Sequence, residues 1–241
     1  VHHFVDHLAP ELHFSAGEFA RSVVELEKRS PEKKRLIVGG TGFYLSALLF
    51  GLPPIPPVSA DMRRQIQEEL LLHGSEQLYS ELQKRDPKAA ERISSADGRR
   101  ITRALEVLRS TGTPWSEWKE KRVAPYPTLP VVVLIPRADL NRQFIIRRVE
   151  GMFEQGWVEE VKGLLAEGVS PTAPAFGSLG YPEVLAHLRG ELSFLECKEK
   201  IITSTAQYAK RQRTYFRGQF PNATELQDVS AEFLEETFLL S

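Results

Sequence analysis

Gly39-Gly40-Thr41-Gly42 stands between a short apolar run, Arg35-Leu36-Ile37-Val38, and an apolar segment that reads as a helix from about Phe43 to Phe50. A glycine turn between a buried strand and a helix presents backbone N–H groups and the positive end of a helix dipole. It suits an anion, and glycine lets a ligand come close to the backbone. Thr41 adds a hydroxyl. The same turn also serves chain packing alone, and no Lys-Ser/Thr follows that would make it a Walker A loop. Further along, Asp97-Gly98-Arg99-Arg100-Ile101-Thr102-Arg103 opens a predicted helix over about 97–110. Arg99 and Arg103 share a face, with Ile101, Ala104, Leu105 and Leu108 as the apolar stripe. Cations beside a helix N-terminus oppose its dipole, so either phosphates or carboxylates such as Glu106 must compensate them.

The densest basic grouping is Lys210-Arg211-Gln212-Arg213, continuing to Arg217 and interleaved with Tyr208, Tyr215 and Phe216. Cations and stacking rings on one helix fit a nucleic-acid backbone and an unstacked base, although a charge run on a helix is also an ordinary solvated face. Gly180-Tyr181 ends a Gly/Ser/Pro-rich loop and reads as a mobile contact segment or as a plain connection. His2, His3, His7 and His13 lie close together in the chain, without the Cys or carboxylate pattern of a zinc site. Trp115 and Trp118 are assigned to packing.

These residues need elements to hold them. Ser15 with Glu18 has the spacing of a capping box, and a helix is expected from there to about Lys28. Arg35–Val38 is expected as a buried strand, the first half of a strand–turn–helix unit of a parallel α/β sheet. Leu52-Pro53-Pro54-Ile55-Pro56-Pro57 excludes helix and central strand and reads as a stiff linker. Helices are then expected at about 61–73, 75–84, 86–93 and 97–110, with breaks at Gly74 and Asp86-Pro87. A second proline cluster returns the chain to a strand, Val131 to Ile135, followed by helices at about 139–154, 157–167, 182–189 and 193–217. The domain reading is an α/β core in two parts, 1–52 and 97–241, around a helical insertion at 53–96 whose end could lie as late as about 126.

With 241 residues, 26% of them charged, and a formal net charge of −1, the composition is that of an ordinary globular chain. Near neutrality neither announces nor excludes a nucleic-acid partner, because that depends on where the charges sit. The single Cys197 excludes an internal disulfide and a Cys-based zinc site, and fits a reducing compartment. No apolar run is long enough to span a bilayer as a helix. The start, Val1-His2-His3-Phe4, has neither an initiator Met nor a signal-peptide pattern, and reads as opening inside a longer protein.

Taken together and in order, several segments carry a resemblance to one family. They are His2-His3 with Phe14-Ser15-Ala16 and Phe19; Leu36-Ile37-Val38-Gly39-Gly40-Thr41-Gly42-Phe43-Tyr44-Leu45; Asp86-Pro87 with Ala89-Ala90 and Arg92-Ile93; Asp97 with Arg99-Arg100-Ile101 and Arg103-Ala104-Leu105-Glu106-Val107; Gly180-Tyr181; and Tyr208-Ala209-Lys210-Arg211-Gln212 leading to Phe216-Arg217. The chain resembles the tRNA dimethylallyltransferase (isopentenyltransferase) family over nearly its whole length. The resemblance implies a P-loop-type α/β core, a helical insertion and helix-rich C-terminal part, and a channel that takes a flipped-out adenosine at one end and dimethylallyl diphosphate at the other. The exocyclic N6 of the adenosine next to the anticodon (position 37) attacks C1 of the prenyl group and diphosphate leaves. An Asp takes the proton, cations and backbone N–H groups receive the diphosphate charge, and Mg²⁺ assists.

By the same resemblance Thr41 lies in the channel on the tRNA side. Arg63 of the insertion, Arg99, Arg100 and Arg103, Gly180 and Tyr181, and Lys210, Arg211 and Gln212 contact tRNA, while Arg148 lies near the diphosphate. Thr41, the arginines from Arg99 to Arg103 and the cations around Arg211 are expected to line one cleft. The partners implied are the tRNA anticodon stem-loop and dimethylallyl diphosphate, for a cytoplasmic, monomeric protein. The family's Gly-rich phosphate loop and the Asp-Ser pair holding the general base are not in these residues, nor are Mg²⁺ ligands, and the 241-residue chain alone is expected to be inactive. Two further departures are Thr205-Ala206, where the family has Thr-Arg, and Pro182, in place of a polar residue. Prenylation of free adenine nucleotides, or non-catalytic RNA binding, are the alternative readings.

Overall fold

The computed structural model describes residues 2–227. It divides into two compact units: the described residues up to Leu45 and from Leu129 onward form the first, and Ser46–Thr128 the second. Among the described residues no helix is long and apolar enough to cross a membrane.

The first unit begins with α1, Ala16–Arg29, whose N-terminus carries the expected capping box: Ser15 and Glu18 each accept the other's backbone N–H. The chain then reaches α2, Gly42–Phe50, and the boundary between the units falls within this helix. After Leu129 come β1 (Val132–Leu134), α7 (Ala138–Glu154), α8 (Trp157–Ala166), a 3-10 turn at Pro174–Gly177, α9 (Tyr181–Leu188), α10 (Phe194–Gln219) and β2 (Thr224–Leu226). Strands β1 and β2 pair in parallel, Val132 opposite Thr224. The core of this unit is a helical cluster around Val149, Trp157, Val161, Phe176, Val184 and Ile201, with the thiol of Cys197 fully buried among them.

The second unit contains the Ser46–Phe50 end of α2, then α3 (Ala60–Arg85), α4 (Pro87–Ala90), α5 (Gly98–Thr111) and α6 (Trp115–Glu120). Helix α3 packs along α5, burying Ile66, Leu78, Leu82, Ile101 and Leu105 between them. The expected break at Gly74 is a kink inside α3, where its backbone takes φ 75°, a conformation that costs glycine nothing. The end of this unit is closed back on its start. Tyr126 N–H donates to the Leu48 carbonyl at 3.0 Å, and a Cβ on Gly51 would lie 2.2 Å from the Val123 carbonyl oxygen.

Arg35–Val38, expected as a buried strand, is not one. Leu36 is 46% exposed and Val38 83%, and among the described residues no strand lies alongside to take up the backbone hydrogen bonds. The segment is instead fixed by Arg35, whose guanidinium donates to the carbonyls of Leu26, Ser30 and Lys33 and so satisfies the open end of α1. Fold and pairing thus give a mostly helical protein with a small parallel sheet, of two strands among the described residues.

Candidate substrate-contacting site

Within the first unit the Gly39–Gly42 turn meets α10. The Gln212 side-chain amide donates to the Gly40 carbonyl at 2.8 Å. The same oxygen accepts the Gly42 N–H at 3.2 Å, and the Thr41 carbonyl accepts the Tyr44 N–H at 2.9 Å. A Cβ on Gly40 would fall 2.2 Å from the Gln212 amide nitrogen, and one on Gly42 would fall 2.5 Å from the Tyr215 ring. Neither glycine has a positive φ; a Cβ at position 40 would displace the Gln212 amide, and one at position 42 would press on the Tyr215 ring. Thr41 is exposed, and its hydroxyl has no partner among the described residues. Tyr44 anchors the helix that follows: its hydroxyl donates to the Phe14 carbonyl at 2.6 Å and its ring stacks on Phe19. Burial, then the nearby Glu18, pushes the Tyr44 phenol above its ordinary pKa.

On α10, Lys210, Arg211 and Arg213 form no salt bridge among the described residues, and Arg211 lies over the Tyr208 ring at 5.7 Å. Arg217 is different, since Glu225 of β2 holds it at 2.7 and 2.9 Å. That pair ties the helix to the sheet and leaves Arg217 committed.

Gly180 and Tyr181 are positioned by α8. Gly180 has φ 94°, and a Cβ there would collide with the Trp157 ring at 2.1 Å. Tyr181 packs edge-on against Trp157 and donates its hydroxyl to Glu160 at 2.7 Å. Burial first, then the Glu160 hydrogen bond, raises its pKa. One edge of Tyr181 lines a cleft of about 480 Å³ shared with Leu12, His13, Phe14 and Glu160. Pro182 sits in the first turn of α9, where a missing N–H costs nothing. Arg148, on α7, is exposed and has no salt bridge among the described residues.

In the second unit Asp97 caps α5 by accepting the Arg100 N–H, and its carboxylate lies 3.4 Å from the Arg100 guanidinium. Arg103 is paired with Glu106 at 3.0 Å, which is the carboxylate compensation considered from the sequence, whereas Arg99 has no such partner among the described residues. Arg63 is exposed in the first turn of α3. The structure adds a group that sequence reasoning missed. Lys119 lies 3.9 Å above the Trp115 ring and Lys121 4.6 Å from Trp118. Burial, with Arg122, Arg92 and Arg100 nearby, holds the Lys119 ammonium below its ordinary pKa. The available signal was Trp115-Ser116-Glu117-Trp118-Lys119, set aside as packing, and Trp115 does pack against the core of its unit.

A helical protein with a small parallel sheet, with a Gly-Gly-Thr turn held against a Lys-Arg-Gln helix, has close counterparts among known proteins. The family model for IPP transferases matches residues 1–219, and the chain belongs to that family. It is 42% identical over 221 residues to the tRNA dimethylallyltransferase of Geobacter sulfurreducens, a match spanning 90% of this chain and 71% of that protein. The tRNA dimethylallyltransferase of Bartonella henselae is 39% identical over 91% of this chain and 77% of its own. The crystal structure of full-length tRNA isopentenylpyrophosphate transferase from Bacillus halodurans superimposes with a TM-score of 0.62 at 32% identity, over 96% of this chain and 73% of that one. A eukaryotic dimethylallyltransferase acting on tRNA shares the fold, with a TM-score of 0.77 at 24% identity, over 99% of this chain and 62% of that one.

Proposed function

We propose that this protein serves the transfer of a dimethylallyl group from dimethylallyl diphosphate to N6 of the adenosine at position 37 of tRNA, acting in the cytoplasm as a monomer on a P-loop-type core. The observation that carries the reading is the Gln212–Gly40 bond, which joins the Gly-Gly-Thr turn to the Lys-Arg-Gln helix within one unit. In the reaction N6 forms a bond to C1 of the prenyl group, the C1–O bond to diphosphate breaks, and N6 gives up a proton. Thr41 offers its exposed hydroxyl to the extruded nucleoside. Lys210 and Arg211 take phosphates of the anticodon loop, while Tyr208 and Tyr181 offer ring faces to unstacked bases. Arg63, Arg99, Arg100 and Arg103 extend the phosphate contacts from the second unit, and Arg148 is assigned to the diphosphate.

Mg²⁺ belongs to this reading. Among the described residues no group of three or more His, Cys, Asp or Glu side chains is placed to hold a metal ion, and Mg²⁺ is more often bound through one or two carboxylates together with substrate phosphates. The proposal also holds that transfer needs a phosphate loop and a carboxylate base that these 241 residues do not contain.

The test uses labelled dimethylallyl diphosphate with an anticodon stem-loop or AMP as acceptor. The enzyme is the 241-residue chain, alone and in a longer form that carries the phosphate loop and Asp-Ser pair ahead of it. Label should enter the stem-loop adenine only with the longer form. Transfer to AMP in preference to RNA would favour the free-nucleotide reading. Stem-loop binding with a steep salt dependence but no transfer by either form would favour a non-catalytic module.

A further inference from the structure

Gln212 stands among cations that point to solvent, yet its own side chain turns inward to the Gly39–Gly42 turn. The Gly40 carbonyl has two acceptor sites. One takes the Gly42 N–H from within the turn, and the other takes the Gln212 amide from α10. The next carbonyl, of Thr41, accepts from Tyr44. Both peptide planes flanking Thr41 are therefore held, the first of them by a residue 172 positions away in the chain. Glycine at position 40 lets the amide reach the backbone, and glycine at position 42 does the same for the Tyr215 ring.

We propose that Gln212 is a positioning residue: its amide fixes the Gly40–Thr41 peptide, and so aims the Thr41 hydroxyl relative to Lys210 and Arg211 on the same helix. This rests on the prenyl-transfer reading for its consequence, though not for the contact itself. A helix gripping RNA phosphates through Lys210 and Arg211 would thereby set the register of the turn that meets the extruded nucleoside. Gln212 itself would add little to RNA affinity.

Four variants decide it: Gln212→Ala, Gln212→Glu, Gly40→Ala, and the double variant Gly40→Ala with Gln212→Ala. Gln212→Glu keeps the shape and replaces the donor by an acceptor facing a carbonyl, so a merely space-filling role would tolerate it. In the 241-residue chain, amide exchange in the segment Thr41–Tyr44 should rise roughly 3- to 10-fold in both Gln212 variants, the range expected for one lost hydrogen bond. In the active longer form, kcat should fall by a similar factor while KM for the stem-loop stays within about twofold. Gly40→Ala displaces the same amide, so the double variant should be no worse than either single one. Unchanged turn exchange in Gln212→Glu, a rise in KM without loss of kcat, or additive Gly40 and Gln212 effects would each overturn the proposal. If the longer form transfers no prenyl group, the functional reading fails, and the exchange measurement still decides whether Gln212 holds the turn.

Discussion

Asp86 is only 1% exposed, and it serves two helices at once. Its carboxylate caps α4 by accepting the Ala89 N–H, and it receives both the N–H and the hydroxyl of Ser116 at the start of α6, at 2.9 and 2.6 Å. Replacing it by Ala strands those donors in a buried place. Asp86→Ala should therefore cost the second unit about 2–3 kcal/mol, read as a lowered urea midpoint of Trp115 and Trp118 fluorescence. A midpoint equal to wild type would show that water replaces the carboxylate without loss. Arg109 poses a similar question of charge. It binds Glu69 with two bonds of 2.8 Å and also binds Glu81, all three side chains being less than a third exposed. The Arg109 hydrogen bonds are the largest cause holding both carboxylates below their ordinary pKa, and the carboxylates in turn raise that of Arg109. A carboxylate whose folded pKa is depressed stabilises the fold above its unfolded pKa of about 4.3, and that contribution is lost as pH falls through the lower folded value. Arg109→Met should thus destabilise the unit by about 2 kcal/mol at pH 7 and by much less at pH 2–3. A penalty independent of pH would point to packing alone.

At the scale of elements, α10 divides its length between two tasks. Its first half is buried through Cys197 and Ile201, while the part around Lys210–Arg213 carries cations without salt bridges among the described residues. Helix α5 does the same around its girth, with a buried face from Ile101 to Leu108 and with Arg99 and Arg100 exposed. If the solvent faces bind RNA, Lys210→Ala and Arg211→Ala should each weaken stem-loop binding and lower the slope of log affinity against log salt by about 0.7–1. Thermal stability should not change. Equal salt slopes in wild type and variants would return these residues to an ordinary solvated face. Arg103, already held by Glu106, should matter less than Arg99.

For the whole molecule, the second unit closes on itself where Tyr126 meets Leu48 and Gly51 meets Val123. Its two ends are thus neighbours, as an inserted domain requires. Residues 46–128 expressed alone should give a helical circular dichroism spectrum and one cooperative urea transition, shallow because so small a core is marginal. A gradual, non-cooperative loss of signal would show that the unit depends on the rest of the chain.

Most of the helices were legible in the sequence, because capping, periodicity and proline are local effects: Ser15 with Glu18, the kink at Gly74 and the stripe of α5 all follow from neighbours a few residues apart. Nothing local, by contrast, announced the short α6 or set the end of α4 at Ala90. The sequence also carried the family, through motifs whose order survives without any coordinates. The pairings lay beyond it. Arg35–Val38 reads as a strand, but a strand exists only where another lies beside it. Thr224–Leu226 shows no alternation at all and is a strand because β1 and the Arg217–Glu225 pair hold it there. That Gln212 turns from its charged neighbours to the Gly40 carbonyl was likewise decided by the tertiary structure alone, since nothing local links residues so far apart in the chain.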